Sequence, residues 1–278
     1  MQIGIRLHDG EKLPLEELLP IMKRRGFKCG HLALSKSLSP DYMRPTALTP
    51  GFALYLKRLF DKNELDIAVL GCYLNLADPD KSRLAANTEK YLAHIRFASL
   101  LGAGVVGTET GAPNSAYKYE PACHTEEALE TFICNLRPIV EYAEKMGVIL
   151  AIEPVWKHIV YDPKRARRVL DEIGSPNLQI IFDPVNLLCI DNYRDRSEII
   201  SEAIELLGKD IAVVHIKDFI VRDGELVSVA AGTGEMDYTE IMRFIKRDKP
   251  FIHVTLENTA PENSEASRRF IESVREAV

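Results

Sequence analysis

The amino-acid sequence predicts an α/β protein, a single (β/α)₈ (TIM) barrel domain that spans residues 1–278. Short apolar segments alternate with longer amphipathic segments along the whole chain, and eight such pairs can be counted. Repeated βα units form a parallel sheet, and eight of them allow that sheet to close into a barrel. No GxGxxG motif follows the first predicted strand, which argues against an open dinucleotide-binding sheet.

The predicted strands are short, and several are almost entirely apolar, as in VILAIE and LQIIFD. This composition is typical of parallel strands that are buried on both faces. The strands are predicted at 3–7, 29–34, 66–71, 105–108, 148–153, 178–183, 211–215 and 252–257.

Amphipathic periodicity predicts a helix after each strand. Glycine follows several of these helices, for example at Gly102 and Gly147, and it is favoured there because it adopts the left-handed conformation at low cost. The helices are predicted at 15–25, 52–63, 82–101, 126–146, 163–173, 197–207, 238–246 and 263–277, and the longest predicted loops are 34–50, 111–125 and 219–237. Long loops after barrel strands commonly build the active site.

Charge and cysteine content narrow the function classes. The formal net charge of −6 makes nucleic acid a poor partner, because neutralisation of phosphates supplies most of that affinity. The five cysteines are scattered without a CxxC pair, which argues against a disulfide framework and a structural zinc site. Without a signal-peptide pattern or an apolar run of about eighteen residues, we expect a cytoplasmic protein that does not contact a membrane.

The last four predicted strands each end in a side chain that can bind a metal: Glu153, Asp183, His215 and Glu257. The barrel places these ends side by side, where three carboxylates would repel one another without a cation. We therefore predict one divalent ion, with Mn²⁺ favoured and Mg²⁺, Co²⁺ or Zn²⁺ as alternatives. The competing interpretation is that acidic residues at strand ends interact with the N-termini of the following helices.

Five motifs extend this pattern: AIEP (151–154), FDPVN (182–186), VHIKD (214–218), GTGEMDY (232–238) and LEN (256–258). With them the chain resembles the xylose-isomerase-like barrel superfamily over nearly its whole length. That superfamily includes sugar and sugar-phosphate isomerases and epimerases, dehydratases and endonuclease IV. In its ketose 3-epimerase branch the four matching positions bind Mn²⁺ or a similar ion, and the two glutamates that match Glu153 and Glu257 also move the proton.

The resemblance implies an isomerase or epimerase that acts on a sugar, a keto-polyol or a sugar phosphate. A metal would stabilise the enediolate that forms when the proton next to a carbonyl is removed. Glu153 and Glu257 would remove and return that proton as an acid/base pair. A metal-dependent lyase, such as a dehydroshikimate or inosose dehydratase, stays open because it would use the same first step. Barrels of this class often pair, so a homodimer is possible.

The sequence departs from the epimerase branch at three positions that hold substrate hydroxyls in the family. Asn186 stands where DxxH places a histidine, Ile159 stands in place of a glutamate, and Val221 stands in place of an arginine. These differences place the substrate outside the free ketoses of that branch and leave the predicted metal site intact. Endonuclease IV is a remote alternative, since several of the histidines that bind its three zinc ions are missing here.

Further residues are candidates for substrate contacts. Lys217 could polarise a substrate oxygen or bind a phosphate, although an ion pair with Asp218 would be a structural alternative. An aromatic residue in the loop after the fifth strand could stack on a sugar face. The full set of candidates is Asn186, Lys217, Glu109, Trp156, His158 and His8.

Overall fold

The computed structural model describes all 278 residues. The chain forms ten strands, which are β1 (Gln2–Arg6), β2 (Cys29–Leu32), β3 (Asp66–Gly71), β4 (Val105–Glu109), β5 (Leu150–Glu153), β6 (Leu178–Phe182), β7 (Ile211–Ile216), β8 (Asp218–Arg222), β9 (Glu225–Val229) and β10 (His253–Leu256). Eight of them pair in parallel and close into a barrel in the order β1-β10-β7-β6-β5-β4-β3-β2. The predicted (β/α)₈ barrel is therefore confirmed.

Nine α-helices lie between and after the strands. They are α1 (Leu15–Arg24), α2 (Leu34–Ser37), α3 (Pro50–Lys62), α4 (Lys81–Leu101), α5 (Glu126–Met146), α6 (Pro163–Ile173), α7 (Arg196–Leu207), α8 (Thr239–Asp248) and α9 (Ser264–Ala277). Side chains cap several of their N-termini: Asp80, Thr125 and Asp162 accept hydrogen bonds from the first turns of α4, α5 and α6. Such caps satisfy amide groups that have no partner inside a helix. No helix combines the length and the apolarity that crossing a membrane requires.

The strand ends differ from the prediction by one or two residues. Asp183 and Glu257 lie one position beyond β6 and β10, whereas His215 lies inside β7. The predicted second strand ends early, because the chain turns at Ala33 and forms α2. These shifts do not change which end of the barrel each side chain occupies.

An antiparallel hairpin, β8–β9, replaces most of the loop that the sequence predicted at 219–237. Its two-residue turn is Asp223-Gly224, and both residues have positive φ angles, of 53° and 79°. Asp-Gly with positive φ at both positions is the preferred sequence for the tightest hairpin turns. The Asp-Gly dipeptide thus indicates a hairpin in the sequence. The barrel prediction did not include one, because it assigned only helices between the strands.

Candidate active site at the carboxyl end of the barrel

The carboxyl ends of the strands surround a cavity of about 480 Å³. All but three of its fourteen lining residues are polar or charged, so its walls suit a substrate that carries many hydroxyl groups. Strand ends and the loops after them supply the lining, and Ser228 of β9 reaches it from the hairpin. The lining residues are Arg6, His8, His31, Ala33, Lys36, Tyr73, Glu109, Tyr117, Glu153, Lys157, Asn186, Lys217, Ser228 and Glu257.

Asp183 is held by the turn that follows it. Its Oδ1 accepts hydrogen bonds from the backbone N–H groups of Val185, at 3.0 Å, and Asn186, at 3.1 Å. Side-chain-to-backbone bonds of this kind are typical of Asp at the start of a turn, which explains the local sequence DPVN. Oδ1 is therefore occupied, and Oδ2 points to the other charged groups of the site.

Glu153 is buried, with 2% of its surface exposed. Its Oε1 accepts a hydrogen bond of 2.6 Å from Nδ2 of Asn186. The turn after β6 thus positions both Asp183 and the glutamate at the end of β5. Asn186, which the sequence predicted as a substrate contact, lines the cavity and also orients Glu153.

His215 lies between the two glutamates. Its Nδ1 is 3.4 Å from Glu153 Oε1 and 3.1 Å from Glu257 Oε1. Burial opposes protonation of this imidazole, but the two carboxylates outweigh it and raise the pKa of His215 to about 10. The two glutamates therefore make the space around Nδ1 of His215 favourable for a positive charge.

Lys217 pairs with two of the predicted metal ligands. Its Nζ is 2.6 Å from Asp183 Oδ2 and 3.1 Å from Glu257 Oε2, and Arg6 lies 3.3 Å from the same Glu257 oxygen. Burial alone would raise the pKa of Glu257, but Lys217, His215 and Arg6 together hold it well below its ordinary value. Burial and the neighbouring carboxylates raise the pKa of Asp183 to about 6, against the opposing effect of Lys217.

The suggested ion pair between Lys217 and Asp218 is wrong. Asp218 instead accepts hydrogen bonds from four backbone N–H groups, those of Phe219, Gly232, Gly234 and Met236. The GTGEM segment therefore wraps around a buried carboxylate, which fixes the base of the hairpin beside the cavity. The backbone of residues 232–236 satisfies Asp218, and Lys217 is left to the centre of the site.

The donor set fits a divalent cation. Donor atoms of Glu153, Asp183 and His215 all lie within 4.8 Å of one another. Glu257 joins them through its Oε1, which is 3.1 Å from Nδ1 of His215. Carboxylate oxygens with one imidazole suit Mn²⁺, Mg²⁺, Co²⁺ or Zn²⁺. The four side chains predicted from the strand ends are thus brought together, and they are the residues that could hold the ion.

Glu109 lies at the side of this cluster, on β4. The hydroxyl of Tyr117 donates to its carboxylate at 3.3 Å, and His158 Nδ1 is 3.6 Å away. Burial, followed by the charge of Glu153, raises the pKa of Glu109 to about 7. A carboxyl group that is partly protonated at neutral pH can either donate to or accept from a substrate hydroxyl.

Burial lowers the pKa of His8 and of His158 to about 4, so both imidazoles are neutral. His8 lines the cavity, as predicted for a substrate contact. His158 does not line it: the residue is 3% exposed, and its ring stacks on Tyr117 with centroids 5.2 Å apart. The position of His158 suits a role in holding Tyr117 and Glu109, which do line the cavity.

Trp156 does not line the cavity either, and its prediction as a residue that stacks on the substrate is corrected here. Its ring packs beside Tyr119, and its carbonyl accepts a hydrogen bond from His124. Trp156 and His124 line a separate, smaller cavity of about 280 Å³. The sequence pattern could not predict the direction of this side chain, because residues of a loop have no regular periodicity.

Sequence analysis did not name two residues that adjoin the predicted metal ligands. Arg6, at the end of β1, contacts Glu257, and His31, on β2, is 2% exposed with its ring 5.3 Å from that of His215. Both share the signal used for the other strands, a polar residue near the end of an apolar strand.

A second cavity, of about 450 Å³, lies at the opposite end of the barrel. Val105, Ile149 and Phe251 are among its lining residues, and its charged or polar members are few: Gln179, Lys249 and His253. No carboxylate lines it, so the chemistry of the strand ends is confined to the first cavity.

Comparison with known proteins supports this assignment of fold. The chain is 26% identical over 139 residues to a probable L-ribulose-5-phosphate 3-epimerase of Mycoplasma pneumoniae, a match that covers 50% of this chain and 42% of that relative. The chain thus spans less than half the length of this curated relative.

Two solved structures show the same fold over the full length. A D-tagatose 3-epimerase-like protein has a TM-score of 0.77 at 21% identity and covers 100% of this chain and 98% of its own. The IolI protein with a bound zinc atom has a TM-score of 0.78 at 18% identity, with 100% and 99% covered. The model of the xylose isomerase-like TIM barrel family matches residues 9–274, and the chain belongs to that family.

Proposed function

We propose that the protein is a divalent-metal-dependent isomerase or epimerase that acts on a sugar, a keto-polyol or a sugar phosphate. The observation that carries the proposal is the contact of Glu153 and Glu257 with one nitrogen of His215, at the wall of a polar cavity. The partial match to a probable 3-epimerase of a pentulose phosphate supports the same reaction class.

Glu153, Asp183, His215 and Glu257 would hold the ion. When bound, it would supply Lewis-acid stabilisation of the negative charge that develops on a carbonyl oxygen. We favour Mn²⁺, with Mg²⁺, Co²⁺ or Zn²⁺ as alternatives, because three of the four donors are carboxylates.

The two glutamates would move the proton. In the metal-free protein Lys217, His215 and Arg6 hold Glu257 in its charged form, which is the form that can accept a proton. Glu153 is oriented by Asn186 and approaches from a different strand. One glutamate removes the proton next to the carbonyl and the other returns one to the opposite face, which inverts or relocates the centre.

The charge balance of the site suits this reaction. Lys217 and Arg6 lie against the carboxylates of Asp183 and Glu257, and a divalent ion would add two positive charges beside them. Positive groups placed at the reacting centre stabilise a substrate that becomes anionic in the transition state. Glu109 and His8 would contact substrate hydroxyls from the walls of the cavity.

Hydrogen exchange in D₂O is the decisive test. The Mn²⁺-loaded protein is incubated with a panel of ketoses, inososes, their phosphates and dehydroshikimate, and the products are followed by NMR and mass spectrometry. An isomerase or epimerase incorporates deuterium into product without loss of water. A product lighter by one water identifies the lyase, and a full panel without exchange contradicts both.

A further inference from the structure

His31 is a buried polar side chain without a partner. It is 2% exposed, and neither Nδ1 nor Nε2 forms a hydrogen bond. A buried polar group without a partner is costly, so such a residue at a functional site calls for a ligand. Its place on β2 puts it across the mouth of the barrel from Asp183 on the β6 side.

The surroundings of His31 make room for this ring and align it with His215. A side chain at Gly71 would place its Cβ 2.8 Å from His31 Nε2, so only glycine leaves the ring its space. The ring centroids of His31 and His215 are 5.3 Å apart, with an angle of 24° between their planes. His215 also has a buried nitrogen, Nε2, without a partner.

Donor atoms of His31, His215 and Glu257 lie within 4.8 Å of one another. Bonds from zinc to nitrogen or oxygen are about 2.0–2.2 Å, so two donors on one ion are at most roughly 4 Å apart. Small side-chain movements would therefore close this set around an ion. Two imidazoles and one carboxylate suit Zn²⁺ or Co²⁺, whereas oxygen-rich sets suit Mn²⁺ and Mg²⁺.

We propose that His31, His215 and Glu257 form a second, nitrogen-rich donor set for a divalent ion, beside the oxygen-rich set of Glu153, Asp183, His215 and Glu257. The two sets share His215 and Glu257, so one ion occupies one set or the other. Zn²⁺ and Co²⁺ occupy the His31 set, and Mn²⁺ occupies the carboxylate set. His31 thereby decides how the protein discriminates among ions. The inference rests on the metal centre proposed above and is independent of the sugar chemistry.

Variants of the metal-free protein test this directly. We expect His31→Asn to weaken Zn²⁺ binding by at least about tenfold in calorimetric titration, the lower end of losses seen on disturbing metal sites. The same variant is expected to leave Mn²⁺ affinity within about threefold. The matched control is His94→Asn, because His94 is also fully buried with a free Nε2 but lies on α4, outside the site. Unchanged Zn²⁺ affinity in His31→Asn, or equal losses for Zn²⁺ and Mn²⁺, overturns the proposal.

X-ray absorption spectroscopy on the wild-type protein supplies a readout that needs no variant. We expect two imidazole ligands around bound Zn²⁺ and one around bound Mn²⁺. One imidazole in both samples overturns the second donor set while leaving the proposed function standing. Failure to bind any divalent ion would contradict the proposed function itself, so the two failures are distinguishable.

Discussion

The ammonium group of Lys217 lies 2.6 Å from Asp183 and 3.1 Å from Glu257, inside the cluster that is proposed to hold the metal. Only 6% of the lysine side chain is exposed. Its ammonium group offsets the negative charge of the two carboxylates, as a bound metal ion would. The metal-free protein therefore depends on Lys217 for charge balance, and a divalent ion should relieve that dependence.

Lys217→Met should destabilise the metal-free protein by about 3–5 kcal/mol, because the substitution leaves buried carboxylates without their partner. Mn²⁺ should then raise the melting temperature of the variant more than that of the wild type, since the ion binds only the folded state. Thermal unfolding with chelator and with Mn²⁺ measures both effects. Lys157→Met, which alters an exposed lysine on the same cavity, is the control. Equal metal-induced shifts in the two variants would contradict the proposed placement of the ion.

Gly234 is expected to tolerate no side chain. A Cβ there would overlap the carbonyl oxygen of Phe219 and the carboxylate of Asp218, so the loop around Asp218 would have to move. We expect Gly234→Ala to cost about 1–3 kcal/mol, the range for overpacking a well-packed region. Gly51→Ala, in the first turn of α3 with no atom within 4 Å of its Cβ, should instead be neutral or stabilising. Urea unfolding of both variants checks the contrast, which fails if the two free energies of unfolding change alike.

The sequence predicted the part of the site that depends on strand direction alone. Glu153, Asp183, His215 and Glu257 come together because parallel strands deliver their carboxyl ends to one mouth, whatever the loops do. Loop geometry decided the rest. Trp156 lies after β5 in a segment whose direction no periodicity encodes, and it faces a different cavity. The partners of Lys217 could not be predicted from the sequence, because they are 34 and 40 residues away along the chain.

Metal binding should release a proton from His215. Its folded-state pKa of about 10 lies above the ordinary value of 6.5, so its proton stabilises the metal-free protein fully below about pH 6.5. That contribution is lost as the pH rises towards 10. An ion that binds Nδ1 must displace the proton, and Mn²⁺ affinity should therefore increase with pH over this interval.

Calorimetry at pH 8 in two buffers with different ionisation enthalpies measures the release, which we expect to be about one proton per Mn²⁺. His215→Gln, which has no such proton, should bind the ion more weakly and release none. A wild-type protein whose Mn²⁺ affinity is flat between pH 7 and about 9 would exclude Nδ1 of His215 as a ligand.

The two glutamates should respond to mutation differently from Asp183. Glu153→Gln and Glu257→Gln each keep an oxygen for the ion but remove a base, so we expect turnover to fall by at least about a hundredfold while metal binding survives in part. Asp183 already uses one oxygen in its own turn and offers only Oδ2 to the centre, so Asp183→Asn should mainly weaken the metal. Excess Mn²⁺ should then restore much of the activity of Asp183→Asn.

Reaction rates measured at rising Mn²⁺ concentration, together with bound metal measured by elemental analysis, separate the two behaviours. If saturating Mn²⁺ returns either glutamine variant to nearly the wild-type rate, the glutamates are ligands alone and another group must carry the proton. Glu109, which lines the cavity and has a pKa of about 7, is then a candidate.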